Sequence, residues 1–406
     1  MKRLALCALV GLAAVACQSD RIADPADTNV APVDDAPAAS RDGRGADYLP
    51  PPWAPGIRVM QYNLYLGTNF DPIFAATTPA DYMAAAAAAW AELQQSDFRA
   101  RARTIADQIA EVRPDAVGIE EVALWSVSAP YPGAGPPTAP FVVTYDFLRI
   151  LLDALRARGL RYVAAAVDST SDVAAPVPTA FDESGNPTAF ALVRFQDRDA
   201  VLVRSGVTYG DAAHGVYQTY LPLDLMGIST GIYNGWSSVR VSVDGRTFRF
   251  VATHLNAEYG PVNNGQAQEL MGVLQKETAP VVLVGDFNSG PGVTDPFAPS
   301  YGLIAGAGFT DLWPVAHPRD PGLTNGPNDG VGTLNAQGVL VPYPALDLTT
   351  RVDLVWLRDR LGGADDVHAA LLGIRQSDRT RSGLWPSDHA GVAMVLELPK
   401  RFTHRR

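Results

Sequence analysis

Six short polar clusters along the chain contain the residue types that bind a divalent cation and a phosphate. Carboxylates and amides are the oxygen ligands that Mg²⁺ prefers, and histidine transfers protons near neutral pH. In chain order the clusters are Tyr62-Asn63, Glu120-Glu121, Thr253-His254-Leu255-Asn256, Gly285-Asp286-Phe287-Asn288, Arg351-Val352-Asp353 and Ser387-Asp388-His389. Together they indicate metal-assisted phosphoryl hydrolysis, in which the cation polarises a phosphoryl oxygen and an Asp or His takes a proton from the attacking water.

A single cluster of this kind also has a purely structural explanation. An Asp or Asn just after a strand is commonly a turn residue that bonds its own backbone. Glu121, at the end of an apolar run, is also consistent with an exposed strand terminus, and His389 with a helix cap or a core hydrogen bond. The chemical interpretation therefore depends on all the clusters occurring together in one chain.

The elements that must position the clusters are strands that alternate with helices from Ile57 onward. Thr78-Pro79-Ala80-Asp81 is typical of a helix start and precedes the alanine-rich stretch 82–94. Further helices are predicted at Asp97 to Val112, Tyr145 to Arg158 and around 264–276. Strands are predicted at 57–63, 115–122, 187–195, 199–204, 237–243, 247–254, 280–286, 352–357 and 391–398. This pattern predicts two stacked sheets covered by helices.

Composition narrows the class of protein. With 47% apolar and 18% charged residues, the 406-residue chain is neither disordered throughout nor collagen-like. The net charge of −11 provides no broad basic surface. Tight, sequence-independent binding to nucleic acid through phosphate neutralisation is therefore not expected. Arg375, Arg379 and Arg381 precede the last cluster closely. They fit either a local basic rim for a polyanion or a solvated loop.

The N-terminus predicts export from the cytoplasm. Lys2 and Arg3 precede an apolar run from Leu4 to Ala16. This run has the length of the hydrophobic region of a secretory signal peptide and is too short to span a bilayer as a helix. The run ends in Ala14-Val15-Ala16-Cys17, which resembles a lipobox with alanine in place of leucine. We expect a lipoprotein anchored in the membrane through Cys17, with release after Ala16 as the alternative.

Domain boundaries follow from composition. Residues 1–16 are predicted to be the signal peptide, 17–52 a disordered Ala/Asp/Pro tether, 53–400 a single domain and 401–406 a tail. The only cysteines are Cys7 and Cys17, so that the domain has no thiol for a disulfide or a metal. Any metal must bind to oxygen and histidine.

The order of the clusters and their residue types resemble the motifs of the endonuclease/exonuclease/phosphatase superfamily. In that superfamily pancreatic-type deoxyribonucleases, abasic-site endonucleases, inositol polyphosphate phosphatases and bacterial sphingomyelinases share one fold. The resemblance covers nearly all of residues 57–398, and Pro114-Asp115 before Glu121-Val122 adds to it. It implies an α/β fold, a four-layer α/β/β/α sandwich of two packed mixed sheets flanked by helices.

The resemblance also implies the metal site. It makes Glu121 the principal ligand of Mg²⁺, with Mn²⁺ or Ca²⁺ as other possible cations. Asn63 is expected beside Glu121 on metal or phosphate, and Asp388 at the metal. Glu120 occupies a position that relatives usually fill with Gln, and it is expected to lie outside the site.

The catalytic residues implied by the resemblance come from the later clusters. Asp286 is expected to orient or deprotonate the attacking water, and Asn288 to bind the phosphate. His389 is expected to contact the scissile phosphate or act as the base, held in its tautomer by Asp353. His254 is expected near the leaving oxygen.

The chain departs from the superfamily pattern in two places. Many relatives have an Arg-Gly-Trp-like run before the histidine strand, and here it is Asn234-Gly235-Trp236, so one expected phosphate contact is in doubt. The acid that supports the first histidine in deoxyribonuclease-like members has no clear match. Asp197 and Asp199 are both candidates.

The sequence leaves the substrate open. A nuclease is favoured over a phospholipase C or sphingomyelinase-like enzyme, a phosphomonoesterase acting on inositol phosphates, and an inactive surface protein that only binds. The apolar loops Leu124 to Pro140 and Tyr220 to Trp236 fit either burial against the domain or contact with lipid or bases. No protein partner is inferred.

Overall fold

The computed structural model of the protein describes residues 49–133, 135–183, 187–225, 228–293, 296–358 and 366–396. The predicted signal peptide, Cys17, most of the tether and the tail lie outside these described residues. The last part of the predicted tether packs on the domain, because the Arg58 guanidinium donates to the carbonyls of Pro50 and Pro51 and Leu49 is buried. Within the described residues, contacts with the domain therefore include residues from Leu49 to Pro51.

Seven α-helices lie in the described residues, and four of them, the second to the fifth in chain order, correspond to the helices that the sequence predicts. Thr78 Oγ1 accepts from the backbone N–H of Asp81 at 3.1 Å, as expected for an N-cap. The Tyr145 to Arg158 prediction began too early, since Tyr145 belongs to a strand and Asp146 caps the helix. The helices are α1 (Asp71–Phe74), α2 (Pro79–Gln95), α3 (Phe98–Val112), α4 (Phe147–Ala157), α5 (Gly260–Leu274), α6 (Ala298–Gly306) and α7 (Trp313–Ala316).

The strands of the described residues include every strand that the sequence predicts and others that it does not. In chain order they are β1 (Ile57–Asn63), β2 (Ala116–Glu120), β3 (Leu124–Tyr131), β4 (Val142–Asp146), β5 (Tyr162–Val167), β6 (Asp172–Phe181), β7 (Pro187–Gln196), β8 (Ala200–Arg204), β9 (Thr208–Val216), β10 (Leu221–Leu225), β11 (Ile228–Ile232), β12 (Gly235–Val243), β13 (Arg246–His254), β14 (Val281–Asp286), β15 (Thr310–Asp311), β16 (Gly332–Leu334), β17 (Leu340–Pro342), β18 (Asp353–Arg358), β19 (Val367–Leu372) and β20 (Gly391–Leu396).

Two six-stranded mixed sheets form the centre of the domain. The first has the order β19-β20-β1-β2-β8-β5 and the second β15-β18-β14-β13-β12-β9. Each contains one parallel pair, β1 with β2 and β13 with β14. Buried side chains of both sheets, including Val59, Val201, Phe250 and Val284, form one apolar layer between them.

Helices cover the outer faces of both sheets and complete the predicted four-layer α/β/β/α sandwich. Residues of α2, α3 and α4 pack with the first sheet around Met60, Ile105 and Phe147. Residues of α5 and α6 pack with the second sheet around Leu270 and Trp356. No helix among the described residues is both long enough and apolar enough to cross a bilayer.

A further four-stranded sheet, which the sequence did not predict, lies beside the sandwich. Its order is β4-β3-β7-β6, and it shares an apolar cluster with the first sheet through Val122, Trp125 and Phe195. The hairpins β10–β11 and β16–β17 form separate two-stranded pairs. These added elements stand next to the edge at which the polar clusters meet.

Candidate active site

The polar clusters meet at one edge of the sandwich because of strand direction. The parallel pairs place Asn63, Glu121, His254 and Asp286 at the carboxyl ends of their strands or just after them. Strand β18 runs antiparallel to β14, so that its first residue, Asp353, pairs with Asp286. The carboxyl ends of parallel strands are a common location for ligand sites in α/β proteins.

The two sheets approach closely just behind this edge. A Cβ atom on Gly118 would lie 2.5 Å from Val284 Cγ2 and 3.0 Å from Ala252 Cβ, so β2 and the second sheet need a glycine there. This approach allows side chains from different sheets to form hydrogen bonds with one another.

Asn63 joins the two sheets at the site. Its Nδ2 donates to Glu121 Oε1 at 2.9 Å and to Asp286 Oδ2 at 3.1 Å, while its Oδ1 accepts from the backbone N–H of Tyr65. In this arrangement Asn63 holds two carboxylates together. Coordination of a metal by Asn63 itself stays a prediction.

His389 is bound on both sides of its ring. Nδ1 lies 2.8 Å from Asp353 Oδ2, the contact that the resemblance implies, and Nε2 lies 2.6 Å from Asn325 Nδ2. Nε2 is also 3.7 Å from Asp286 Oδ2. Burial alone would lower the pKa of His389, but Asp353 and then Asp286 outweigh it and raise that pKa well above its usual range.

His254 approaches the same carboxylate from the second sheet. Its Nε2 lies 3.7 Å from Asp286 Oδ2 and 3.3 Å from Asn288 Nδ2. Burial would lower the pKa of His254, yet Asp286, Glu121 and Asp197 together raise it. Asp286 Oδ2 thus lies between two histidines that both retain protons more readily than a free imidazole.

Glu121 faces the site from just beyond β2. Its backbone has a positive φ of 56°, which turns its side chain away from that of Glu120. Its Oε2 accepts a hydrogen bond from the Leu66 N–H at 2.7 Å. Burial raises its pKa to about 7, opposed mainly by His254. A carboxyl in this condition is stabilised in its charged form by a bound cation.

Glu120 points into the protein and not into the cleft. It is fully buried, and its Oε2 accepts from Gln61 Nε2 at 2.9 Å. The same Gln61 amide donates to Asp353 Oδ1 at 2.7 Å. Burial, with Asp353 and Asp286 nearby, raises the pKa of Glu120 well above its usual range. The structure therefore separates Glu120 from Glu121 in the way the resemblance implies.

Asp388 lies on the loop before β20. Its Oδ2 accepts from the Gly330 N–H at 2.8 Å, and its Oδ1 from Ser387 Oγ at 3.2 Å. Ser387 Oγ also donates to the Asn63 carbonyl at 2.8 Å, which ties this loop to the end of β1. The Asp388 carboxylate borders the cleft together with Glu121.

The donor set fits a hard divalent cation. Asp286, Asp353 and His389 form a buried group whose ligand atoms all lie within 4.8 Å of one another. This set differs from the predicted one of Asn63, Glu121 and Asp388, although Asn63 links Glu121 to Asp286. Carboxylate oxygens dominate both sets, as Mg²⁺ requires.

The acid that supports His254 is not settled by a hydrogen bond, since Nδ1 of His254 has no partner among the described residues. Asp197 borders the cleft and contributes to the raised pKa of His254. Asp199 instead accepts from the Glu121 N–H, and its own N–H donates to Asp168 Oδ1 at 2.7 Å. Of the two candidates, Asp197 is the one that borders the cleft and whose charge raises the pKa of His254.

Sequence reasoning missed Asn325, Gln61 and Asp329. Asn325 contacts His389, Gln61 supports Asp353, and Asp329 borders the cleft. Each is a single polar residue without a spacing pattern around it, and each reaches its partner only through the tertiary fold.

The arginines before the last cluster do not form an open rim. Arg375 donates to Asp378, and Arg379 donates to the carbonyls of Gly383 and Tyr343 and lies over the Trp385 ring. Only Arg381 of the three is exposed without such contacts among the described residues. Both the Arg375 and the Arg379 guanidinium are therefore held by the protein's own groups, and neither borders the cleft.

The site opens into a cleft of about 690 Å³. One end is polar and holds His254, Asp286, Asn288, Asp388 and His389. The other end is apolar and is formed partly by the added sheet. Asn234 of the divergent Asn-Gly-Trp run also borders the cleft, and the described lining contains no lysine or arginine.

The sequence matches the Endonuclease/Exonuclease/phosphatase family over residues 60–389. The chain belongs to this family. Members of the endonuclease/exonuclease/phosphatase family are typically phosphoester hydrolases that commonly use divalent metals, and the acidic, histidine-containing edge described above agrees with that chemistry. No curated protein matches the sequence closely.

Solved structures resemble the chain at low similarity. An endonuclease/exonuclease/phosphatase family protein from Leptotrichia buccalis C-1013-b is 15% identical to this chain with a TM-score of 0.45. The match covers 84% of this chain and 100% of the Leptotrichia protein. Truncated Caenorhabditis elegans TDP2 is 15% identical with a TM-score of 0.43, covering 84% and 97%. The human nocturnin catalytic domain is 16% identical with a TM-score of 0.41, covering 84% and 94%. At these values the structures inform neither substrate nor mechanism.

Proposed function

We propose that the protein is a divalent-metal-dependent phosphodiesterase. The observation that carries this proposal is the position of Asp286, whose Oδ2 lies 3.7 Å from Nε2 of both His254 and His389. A carboxylate between two proton-bearing imidazoles can accept a proton from water on one side while positive charge faces a phosphoryl group on the other.

Glu121 and Asp388 would hold the metal, with Asn63 keeping Glu121 and Asp286 in register. When bound, the cation supplies charge neutralisation at a non-bridging phosphoryl oxygen. Burial raises the pKa of Glu121 to about 7, so a cation at this position stabilises its carboxylate form at neutral pH.

The protein's own groups divide the remaining work. Asp286 orients the attacking water and accepts its proton. His389, whose Nδ1 is held by Asp353, faces the negative phosphoryl oxygens, and Asn288 adds an amide donor. His254 gives its proton to the leaving oxygen. One O–P bond forms to water, one P–O ester bond breaks, and the products are a phosphomonoester and an alcohol.

The test measures hydrolysis by the purified full-length chain. The soluble diester bis(4-nitrophenyl) phosphate is used first, with Mg²⁺ or EDTA, followed by DNA, RNA, phospholipids and inositol phosphates. Asp286→Ala and His389→Ala are each expected to lower the rate by about a hundredfold or more. His214→Ala changes an exposed histidine on β9 and serves as the matched control. Normal rates from folded Asp286→Ala and His389→Ala proteins would remove the site assignment.

Nucleic acid was favoured among substrates by the sequence alone, and that preference stays a prediction. The described lining of the cleft offers no lysine or arginine to the phosphodiester backbone of a nucleic acid, which weakens the support for it.

We further propose that the enzyme works outside the cytoplasm, anchored through Cys17. The support is the charged, then apolar, then small-residue order of residues 2–17.

A further inference from the structure

The apolar end of the catalytic cleft is a surface in its own right, and we call it the apolar arm. It combines α1, the added four-stranded sheet and the hairpin β10–β11, all outside the two central sheets. The side chains that define it are Ile73, Phe74, Trp125, Val173, Phe195 and Leu223.

Strand geometry makes the wall of the apolar arm continuous. Val173 and Ala175 are two positions apart in β6, so their side chains lie on the same face of the strand, and the same holds for Val193 and Phe195 in β7. The register pairs Val173 with Phe195 and Ala175 with Val193, so that all four side chains share one face. These four residues line the cleft as a single apolar patch.

Aromatic rings extend this wall toward the polar end. The Phe195 ring lies 4.8 Å from that of Trp125 and 5.1 Å from that of Phe70. Trp125 Nε1 donates to the Leu66 carbonyl at 3.1 Å, and the Leu66 N–H donates to Glu121 Oε2 at 2.7 Å. One residue therefore separates the aromatic wall from the carboxylate proposed to hold the metal.

The apolar arm is only partly closed by the protein. Ile73, Phe74, Val173 and Leu223 are half-buried, and they face the cleft. Burying such side chains against a ligand removes apolar surface from water, which favours an apolar ligand group.

The charge of the cleft lining distinguishes between a polynucleotide and a molecule with a single phosphodiester. The described lining contains seven carboxylates and no lysine or arginine; the acidic residues are Asp71, Glu121, Asp197, Glu258, Asp286, Asp329 and Asp388. Polynucleotide binding relies on many cationic contacts to successive phosphates. A cleft with one phosphoryl site and an apolar extension instead matches a molecule with a single phosphodiester and a long apolar substituent.

We propose that the apolar arm binds the hydrocarbon part of a lipid phosphodiester, so that the substrate class of this site is phospholipid and not nucleic acid. This inference rests on the proposed phosphodiesterase function, and it assigns α1, the added sheet and the hairpin β10–β11 as the elements that select the substrate.

The first experiment compares rates of the full-length protein with Mg²⁺ on four diesters. These are sphingomyelin and phosphatidylcholine in mixed detergent micelles, a single-stranded DNA oligonucleotide, and bis(4-nitrophenyl) phosphate. We expect faster turnover of at least one lipid than of the oligonucleotide. Ile73→Asp and Leu223→Asp place a charge on two different elements of the apolar arm. Each is expected to lower the ratio of lipid rate to soluble-diester rate by about tenfold or more.

Val273→Asp is the matched control, because Val273 is an exposed valine near the C-terminal end of α5 and outside the cleft. It is expected to keep the wild-type ratio. Near-ultraviolet circular dichroism verifies that every variant is folded.

A binding measurement avoids dependence on turnover. Dodecylphosphocholine carries one phosphodiester and one alkyl chain, and it is added below its micelle concentration in EDTA. Tryptophan fluorescence is expected to change saturably, since Trp125 and Trp90 line the cleft. Ile73→Asp is expected to weaken this binding by about tenfold.

The outcomes separate the two proposals. Turnover of the oligonucleotide but not of lipid, an unchanged rate ratio in both arm variants, or no saturable binding of dodecylphosphocholine would overturn the lipid assignment while leaving the phosphodiesterase in place. No metal-dependent turnover of any diester by folded protein would overturn the phosphodiesterase itself.

Discussion

Asp353 Oδ2 lies 2.8 Å from His389 Nδ1, and strands of different sheets position the two residues. Asp353 begins β18 of the second sheet, and His389 precedes β20 of the first. The pair therefore depends on the packing of the sandwich as well as on the local sequence.

Asp353→Asn should lower the catalytic rate far more than it lowers stability. An amide accepts a hydrogen bond from Nδ1 but does not stabilise the charged imidazole, so a loss of about a hundredfold or more is expected in kcat. Hydrolysis of bis(4-nitrophenyl) phosphate measures it. Asp153→Asn, which changes an exposed aspartate of α4, is the control. A fully active Asp353→Asn protein would contradict the role given to His389.

Glu120 and Glu121 are adjacent at the end of β2, and their substitution is expected to affect activity differently. Glu121→Gln should reduce Mg²⁺-dependent activity by about a hundredfold, because a neutral amide replaces the carboxylate that faces the cleft. Glu120→Gln should change it by no more than about threefold, because Gln61 keeps an oxygen acceptor. Gln is a better control here than Ala, which would leave the Gln61 amide without one of its partners. Equal losses from both variants would contradict the assignment.

Much of the sandwich was predictable because its strands are apolar and end in polar clusters. Pro176 and Pro178 concealed β6, since proline argues against a central strand, and the exposed polar residues of β9 concealed that edge strand. Strand direction then brought together residues from all six clusters. Asn325 was not predictable, because its contact with His389 spans 64 positions and leaves no local pattern.

Arg101 should be essential for stability. Its fully buried guanidinium donates to the carbonyls of Ser96, Leu64, Tyr65 and Pro386, which lie on segments flanking the site. Arg101→Met removes these donors and is expected to cost about 3 kcal/mol or more of unfolding free energy. Urea denaturation measures it.

Arg99→Met on the exposed face of the same helix is the control for Arg101. It is expected to change the unfolding free energy by no more than about 0.5 kcal/mol. Similar denaturation midpoints for the two variants would show that the buried guanidinium is dispensable.

Asp168 should make stability fall as pH rises. Burial raises its pKa to about 7, above the value of an unfolded aspartate, so the folded state holds the proton more tightly. Its contribution is therefore favourable at low pH and is lost as pH rises from about 4 through 7. Asp168→Asn keeps an acceptor for the Asp199 N–H and should flatten that part of the profile. Thermal unfolding in EDTA across this range measures the difference, and identical profiles would contradict it.

Cys17→Ser should release the protein from the membrane fraction, since the lipid would have no thiol to modify. Fractionation of cells followed by immunoblotting measures the partition. Unchanged partitioning would remove the lipoprotein prediction while leaving export open.

The added sheet has a consequence for how this protein changes through evolution. Residues that perform the chemistry are anchored in the central strands, where a substitution disturbs both folding and catalysis. The apolar wall belongs to separate elements, which contain neither Asp286 nor either histidine. Under the role proposed for the apolar arm, transplanting this sheet and the hairpin β10–β11 between relatives is expected to alter specificity while the catalytic residues stay the same.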